Sequence, residues 1–210
     1  MKPRPVLLAI FDGFGINPSR AHNAWALAST PHLDRYFASY PHTVLQASGR
    51  AVGLPDGQFG NSEVGHLTLG AGRVLEQDLI RIANAIYDGT FEHMPEWQSL
   101  IDGSKRLHLI GLISDGGVHS HIEHLHGILS LLRNKDIEPV IHMITDGRDT
   151  APRIALAYLD ELEDSLSSLG RGTIATVTGR YTAMDRAQHW DRTEQAWRAM
   201  VLGQGLSAPT

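Results

Sequence analysis

The chain has 210 residues, 42% of them hydrophobic, which is enough to bury a sizeable core. Its 18 Lys and Arg against 23 Asp and Glu give a formal net charge of -5, so it lacks the basic surface that a nucleic-acid partner needs. It has no cysteine, and no apolar run near its start is long enough for a signal peptide or a membrane span. We therefore expect a cytoplasmic protein without nucleic-acid or membrane partners, and we take a monomer as the default.

The first third of the chain combines apolar runs with glycine-rich turns. Residues 5–11 form a continuous apolar run that stops at residues 12–15, which predicts a strand buried on both faces and then a polar turn. Helices are predicted at residues 31–36, after a threonine and with a proline in the first turn, and at residues 77–87, where apolar residues recur at helical spacing. We predict a domain boundary near Leu75.

From residue 107 onward a strand, a polar loop and a helix follow one another three times. The strands are predicted at residues 107–113, 139–145 and 173–178, and each later helix carries apolar residues on one face. Strands that alternate with helices indicate an α/β fold with a parallel sheet and flanking helices. The loops that leave the carboxyl ends of such strands gather at one edge of the sheet, where ligands bind.

These loops contain a mainly cationic set of side chains, namely His119, Arg148, Asp149, Arg180 and Arg186. Guanidinium groups present forked donors that match phosphate or carboxylate oxygens, so the set predicts a pocket for a small phosphorylated acid. Each residue also has a plainer explanation. Asp149 or Thr150 could cap the helix that has Pro152 in its first turn, residues 146–147 could form only a turn, and single arginines are usually solvated.

Two residues of the first segment are candidates for metal or nucleophile chemistry. Asp12, at the end of the predicted strand, is placed to bind a hard cation, although it could also be an ordinary turn aspartate. Ser62 lies between glycines, and its alternative role is that of a helix cap. As a nucleophile it would need a neighbouring base or a metal. The residues alone indicate an anion-handling α/β enzyme and leave metal assistance open.

Five motifs occur in one order along the chain: DGFG at 12–15, GNSEVGH at 60–66, SDGGVHSH at 114–121, DGRDT at 146–150 and GRYTAMDR at 179–186. Together they resemble the cofactor-independent phosphoglycerate mutases, over residues 1 to about 198. Members of that family are well over twice this length, so the chain resembles their front portion. The resemblance implies that residues 1–75 are the first part of an alkaline-phosphatase-like domain and that residues 76–210 are most of an inserted transferase domain.

The resemblance also implies a role for each candidate residue. Asp12 is similar to a manganese ligand, and Ser62 to a residue that both binds manganese and becomes phosphoserine. The five loop residues are similar to substrate contacts, with Asp149 a candidate acid–base. The implied reaction interconverts 3-phosphoglycerate and 2-phosphoglycerate, a step of glycolysis and gluconeogenesis, with two Mn²⁺ ions and without 2,3-bisphosphoglycerate. The chain departs from the usual last motif at three positions, which are Thr182, Ala187 and His189.

Two other functions stay open at this point. One is another phosphatase or phosphomutase of the alkaline phosphatase superfamily, although the combination of the HSH, DGRD and GRYTAMDR strings argues against it. The other is a non-catalytic fragment that binds phosphate weakly. By the resemblance, the remaining manganese ligands and a catalytic lysine would lie beyond Thr210, so we expect the 210-residue chain to be inactive alone.

Overall fold

The computed structural model describes residues 4–207. The chain divides into two compact units, Met1–Gln77 and Asp78–Thr210, and the division falls close to Leu75. The assignment of these units to a phosphatase-like piece and to an inserted transferase domain stays a prediction.

The first unit contains short helices and a small apolar cluster. Its elements are α1 (Ala24–Leu27), α2 (Pro31–Ser39), a 3-10 helix (Gly49–Val52) and α3 (Ser62–Ala71). Helix α2 confirms the helix predicted at residues 31–36, and it begins with proline, whose missing N–H is not needed in the first turn. Three buried side chains form the cluster, which consists of Val52, Leu54 and Val64.

The strand predicted at residues 5–11 was wrong for this structure. Residues 4–11 form no strand, and the side chains of Val6 and Leu7 are 94% and 91% exposed. A parallel strand exists only through hydrogen bonds to a neighbouring strand. Within residues 4–207 every strand belongs to the sheet of the second unit, so this apolar run has no partner. Asp12 consequently lies in an exposed turn and not at the end of a strand.

The second unit alternates strands and helices. It consists of α4 (Asp78–Tyr87), a 3-10 helix (Thr90–His93), α5 (Pro95–Ile101), β1 (Arg106–Ile113), α6 (Ile122–Leu131), β2 (Glu138–Thr145), α7 (Ala155–Leu169), β3 (Thr173–Gly179), α8 (Arg180–Ala183) and α9 (Trp190–Leu202). The three strands form a parallel sheet in the order β1-β2-β3. The predicted α/β class, the three strands and the helix at residues 77–87 are therefore confirmed.

The core of the second unit lies between the central strand and the helices that follow β1 and β2. Ile141 of β2 is 1% exposed and packs in one cluster with Leu129 of α6 and Leu162 of α7. Helix α7 ends at Gly170, which adopts a φ of 75° that a side chain would oppose. Because the three strands run parallel, their carboxyl ends open at one edge of the sheet. Within residues 4–207 no helix is long and apolar enough to cross a membrane.

Candidate functional site

The loops that follow the three strands meet at the buried carboxylate of Asp146. Ser114, directly after β1, donates from Oγ to Asp146 Oδ2 at 2.7 Å. Arg180, directly after β3, donates from Nη1 to Asp146 Oδ1 at 2.8 Å, and the Asp146 side chain is 0% exposed. One carboxylate at the end of β2 therefore connects the ends of all three strands.

Asp146 also shapes the turn that carries the DGRDT motif. Its Oδ1 atom accepts the backbone N–H groups of Gly147 at 2.7 Å, Arg148 at 3.0 Å and Asp149 at 3.2 Å. Burial alone would raise the pKa of Asp146, but hydrogen bonds from the Arg148 N–H, the Ser114 hydroxyl and Arg180 outweigh it and hold the pKa well below its usual range. Asp146 is thus a permanent anion beneath the site.

Sequence reasoning missed Asp146 because it weighed residues 146–147 only as a turn. A signal was present in the sequence, since an acidic residue directly after a buried strand is the same feature that singled out Asp12. In the structure the Asp146 carboxylate both accepts the backbone N–H groups of the turn and pairs with Arg180.

Arg180 bridges two carboxylates. Besides Asp146, its Nη1 atom donates to Asp149 Oδ2 at 2.6 Å, and its side chain is only 16% exposed. Hydrogen bonding to Asp149 is the main reason why the pKa of Arg180 is raised above its ordinary value. Within residues 4–207 the other two guanidinium nitrogens form no hydrogen bond, so they remain available to a ligand.

His119 extends this cluster towards solvent. Its Nε2 atom lies 3.7 Å from Asp149 Oδ2, and its side chain is 49% exposed. The structure therefore brings His119, Asp149 and Arg180 together. Neither Asp149 nor Thr150 caps the next helix, because α7 begins only at Ala155.

Arg148 and Arg186 are exposed, and only the backbone N–H of Arg148 takes part in the hydrogen bonds described above. Within residues 4–207 neither guanidinium forms an ion pair. The loop that carries Arg186 is nevertheless ordered by its neighbour Asp185, which accepts the N–H groups of Ala187 at 3.1 Å and His189 at 2.8 Å. Both arginines thus present free forked donors.

The loop after β1 approaches the loop after β2 closely. A Cβ atom at Gly116 would lie 2.9 Å from the backbone oxygen of Asp149 and 3.1 Å from its Cβ atom. Only glycine fits such a separation without displacing backbone. Asp115, the residue before this glycine, accepts a hydrogen bond at its Oδ1 atom from Tyr158 Oη at 2.5 Å. This bond connects the loop after β1 to α7.

Ser62 is the first residue of helix α3 but does not cap it. The cap is Asn61, whose Oδ1 accepts the Val64 N–H at 3.1 Å, so the capping alternative for Ser62 is wrong. Ser62 Oγ lies 3.1 Å from His66 Nδ1, which also lies 2.8 Å from the Ser62 carbonyl oxygen. A carbonyl oxygen can only accept, so Nδ1 carries the proton and His66 is not the base of Ser62 in this geometry.

The predicted manganese ligands do not complete a metal site by themselves. Asp12 and Ser62 are both exposed. Among residues 4–207 no group of three or more His, Asp or Glu side chains is arranged to hold a metal ion. Divalent cations of this kind take about six donors, of which water supplies only some. One carboxylate and one hydroxyl do not fit a resident manganese ion.

The comparisons with known proteins cover almost the whole chain. The model of the BPG-independent PGAM N-terminus family (iPGM_N) matches residues 82–210. The chain belongs to the BPG-independent phosphoglycerate mutase family. The resemblance seen in the five motifs is thereby confirmed. The matched residues include the three converging loops, whereas Asp12 and Ser62 lie before them.

Individual members of the BPG-independent phosphoglycerate mutase family extend the match to the first unit. The chain is 52% identical to the enzyme of Clostridium perfringens, over 99% of this chain and 42% of that protein. It is 51% identical to that of Symbiobacterium thermophilum, over 98% of this chain and 41% of that protein. A crystal structure of Leishmania mexicana phosphoglycerate mutase at low cobalt concentration is 37% identical, with a TM-score of 0.78 over 93% of this chain and 38% of that chain. The chain thus spans about two fifths of its relatives' length.

Proposed function

We propose that this chain supplies the serine nucleophile and most of the substrate pocket for the interconversion of 3-phosphoglycerate and 2-phosphoglycerate. The observation that carries the proposal is the cluster of His119, Asp149 and Arg180, which the ends of the parallel strands bring to one edge. The relatives also support it, because they are 2,3-bisphosphoglycerate-independent phosphoglycerate mutases by name.

The substrate-binding part of the proposal follows from charge and geometry. A phosphoglycerate carries a phosphoryl group and a carboxylate, and each matches a forked guanidinium donor. Arg148 and Arg186 are exposed and unpaired among residues 4–207, so both are free to bind such groups. Asp149 exchanges a proton with the glycerate hydroxyl, because a carboxylate within hydrogen-bond reach can act as acid and base.

Ser62 carries the phosphoryl group between the two positions. In the first step the bond from phosphorus to the substrate oxygen breaks and the bond from phosphorus to Ser62 Oγ forms. The Oγ proton passes to solvent, and the departing glycerate oxygen takes a proton from Asp149. The second step returns the phosphoryl group to the other hydroxyl of the glycerate and restores the serine. Ser62 lies at the amino-terminal end of the ten-residue helix α3, where the helix dipole favours the negative charge of a phosphoserine.

The two manganese ions implied by the resemblance stay part of this proposal only for a longer protein. Such ions would lower the pKa of the serine hydroxyl and neutralise charge on the phosphoryl oxygens. Asp12 and Ser62 would contribute two donors, and the rest would have to come from outside the described residues. We also infer a cytoplasmic, monomeric enzyme that has neither membrane nor nucleic-acid partners. The net charge of -5 supports the last of these inferences.

The competing candidate is a non-catalytic phosphate-binding chain, and the incomplete metal site favours it for these residues alone. The decisive experiment assays mutase activity in the 210-residue chain, in the protein extended by its natural continuation, and in the extended protein with Ser62→Ala. Turnover only in the extended wild type supports the proposal. Absence of turnover in the extended wild type with manganese would overturn it.

A further inference from the structure

We propose that Asp146 is a positioning residue, whose carboxylate holds Arg180 away from full pairing with Asp149 and aims it at the anionic substrate. This inference rests on the proposed function, because the ligand it concerns is phosphoglycerate. The resemblance to the family implied no role for Asp146, so the inference adds a residue to the site.

The burial of Asp146 excludes a direct role in substrate binding. Its side chain is 0% exposed. Its two oxygens accept from five donors on three loops, which are Ser114 Oγ, the N–H groups of Gly147, Arg148 and Asp149, and Arg180 Nη1. A side chain without solvent exposure cannot reach a ligand, so Asp146 acts through the residues that it holds.

Arg180 is the group through which Asp146 acts. Its Nη1 atom is shared between Asp146 at 2.8 Å and Asp149 at 2.6 Å, which leaves its other two nitrogens free. Without the negative charge of Asp146, Asp149 would be the remaining anionic partner of Arg180. The guanidinium would then turn towards the proposed acid–base group, and the substrate would have to break that ion pair before binding.

The geometry allows the charge to be removed while the shape is kept. In Asp146→Asn the amide oxygen can still accept the three backbone N–H groups, and the amide nitrogen can donate to Ser114 Oγ. The substitution therefore removes the charge that faces Arg180 and leaves the turn intact. Asp146→Ala removes the turn hydrogen bonds as well.

The first test needs no substrate. NMR relaxation of the Arg180 Nε–H group and amide exchange of residues 147–149 are measured in the wild-type chain, in Asp146→Asn and in Asp136→Asn. Asp136 is an exposed carboxylate paired with Lys105, so it is a matched control. We expect Asp146→Asn to change the mobility of the guanidinium, because this group leaves its shared position and turns towards Asp149, while the turn amides keep their protection. Unchanged Arg180 mobility would overturn the proposal.

The second test is a double-mutant cycle on 3-phosphoglycerate affinity, read by NMR titration. Asp146→Asn should weaken binding about tenfold in the wild-type background but less than about twofold in the Arg180→Ala background, because it acts through that arginine. Equal losses in both backgrounds would show a general structural role and overturn the proposal. If the wild-type chain fails to bind 3-phosphoglycerate, the proposed function fails, and the relaxation measurement still decides the role of Asp146.

Discussion

Asn61 caps helix α3 by accepting the Val64 N–H at 3.1 Å, so the adjacent Ser62 hydroxyl does not serve as the cap and lies 3.1 Å from His66 Nδ1 instead. The sequence suggests Ser62 as the cap, but asparagine is favoured at that position as strongly as serine. Because Asn61 caps the helix, Ser62 is not needed for that purpose, which is compatible with the chemical role that we propose for it. This difference also separates the two residues experimentally.

We predict that Ser62→Ala leaves α3 intact, whereas Asn61→Ala destabilises it by about 1 kcal/mol, the usual cost of a lost cap. Amide exchange along α3 in the 210-residue chain measures this difference. In the extended protein Ser62→Ala should abolish phosphoryl transfer and leave 3-phosphoglycerate affinity largely unchanged. Retention of even a tenth of the mutase rate would mean that phosphate does not pass through Ser62.

The isolated chain should bind manganese no better than a generic acidic surface, because Asp12 and Ser62 provide only two donors. It should bind 3-phosphoglycerate weakly, since charge-assisted contacts to arginine do not require the metal. Calorimetric titration with each ligand tests both statements, and Asp12→Asn should leave the manganese titration unchanged. Micromolar binding at two manganese sites would contradict the prediction.

Gly116→Ala should disturb the candidate site without disrupting the sheet. The new Cβ atom would lie 2.9 Å from the backbone oxygen of Asp149, so one of the two loops must move. Overpacking of this kind costs about 1–3 kcal/mol, and we expect roughly tenfold weaker 3-phosphoglycerate binding. Gly111→Ala on β1 is the control, because its Cβ atom would meet nothing within 4 Å. Equal affinities for the two variants would show that the contact is unimportant.

Stability should fall as the pH is lowered from neutrality. Burial, and to a lesser degree the neighbouring His108, lowers the pKa of His142 below its ordinary value of 6.5. The unfolded chain therefore binds a proton more readily than the folded chain, so stability is full above about pH 6.5 and decreases below it. Urea denaturation at pH 7.5, 6.5 and 5.5 measures this slope.

The variant His142→Gln should flatten that pH dependence, because it removes one proton-binding site from the unfolded chain. Burial also lowers the pKa of His124, so a smaller slope should remain. The exposed His93 provides the control variant His93→Gln. A slope that is identical in wild type and His142→Gln would show that this histidine does not couple folding to pH.

Local sequence was enough to predict the three strand–helix units. The strand predicted at residues 107–113 appears as Arg106–Ile113, and the one at 139–145 as Glu138–Thr145. The apolar strands and the amphipathic helices between them bury one another's apolar faces within the same unit. Their order along the chain was therefore enough to predict the fold class. The motifs at the strand ends also indicated the family, and they contain His119, Asp149 and Arg180, which the structure brings together.

The tertiary structure decided what depended on distant partners. Residues 5–11 have the composition of a buried strand, yet no strand among residues 4–207 pairs with them, and composition cannot supply a missing neighbour. Asp146 looked like a turn residue, because nothing in its local sequence shows that Ser114 and Arg180 converge on it from 32 and 34 residues away. The sequence determined which residues lie at the strand ends, and only the packed sheet determined which of them touch, because those contacts join separate loops.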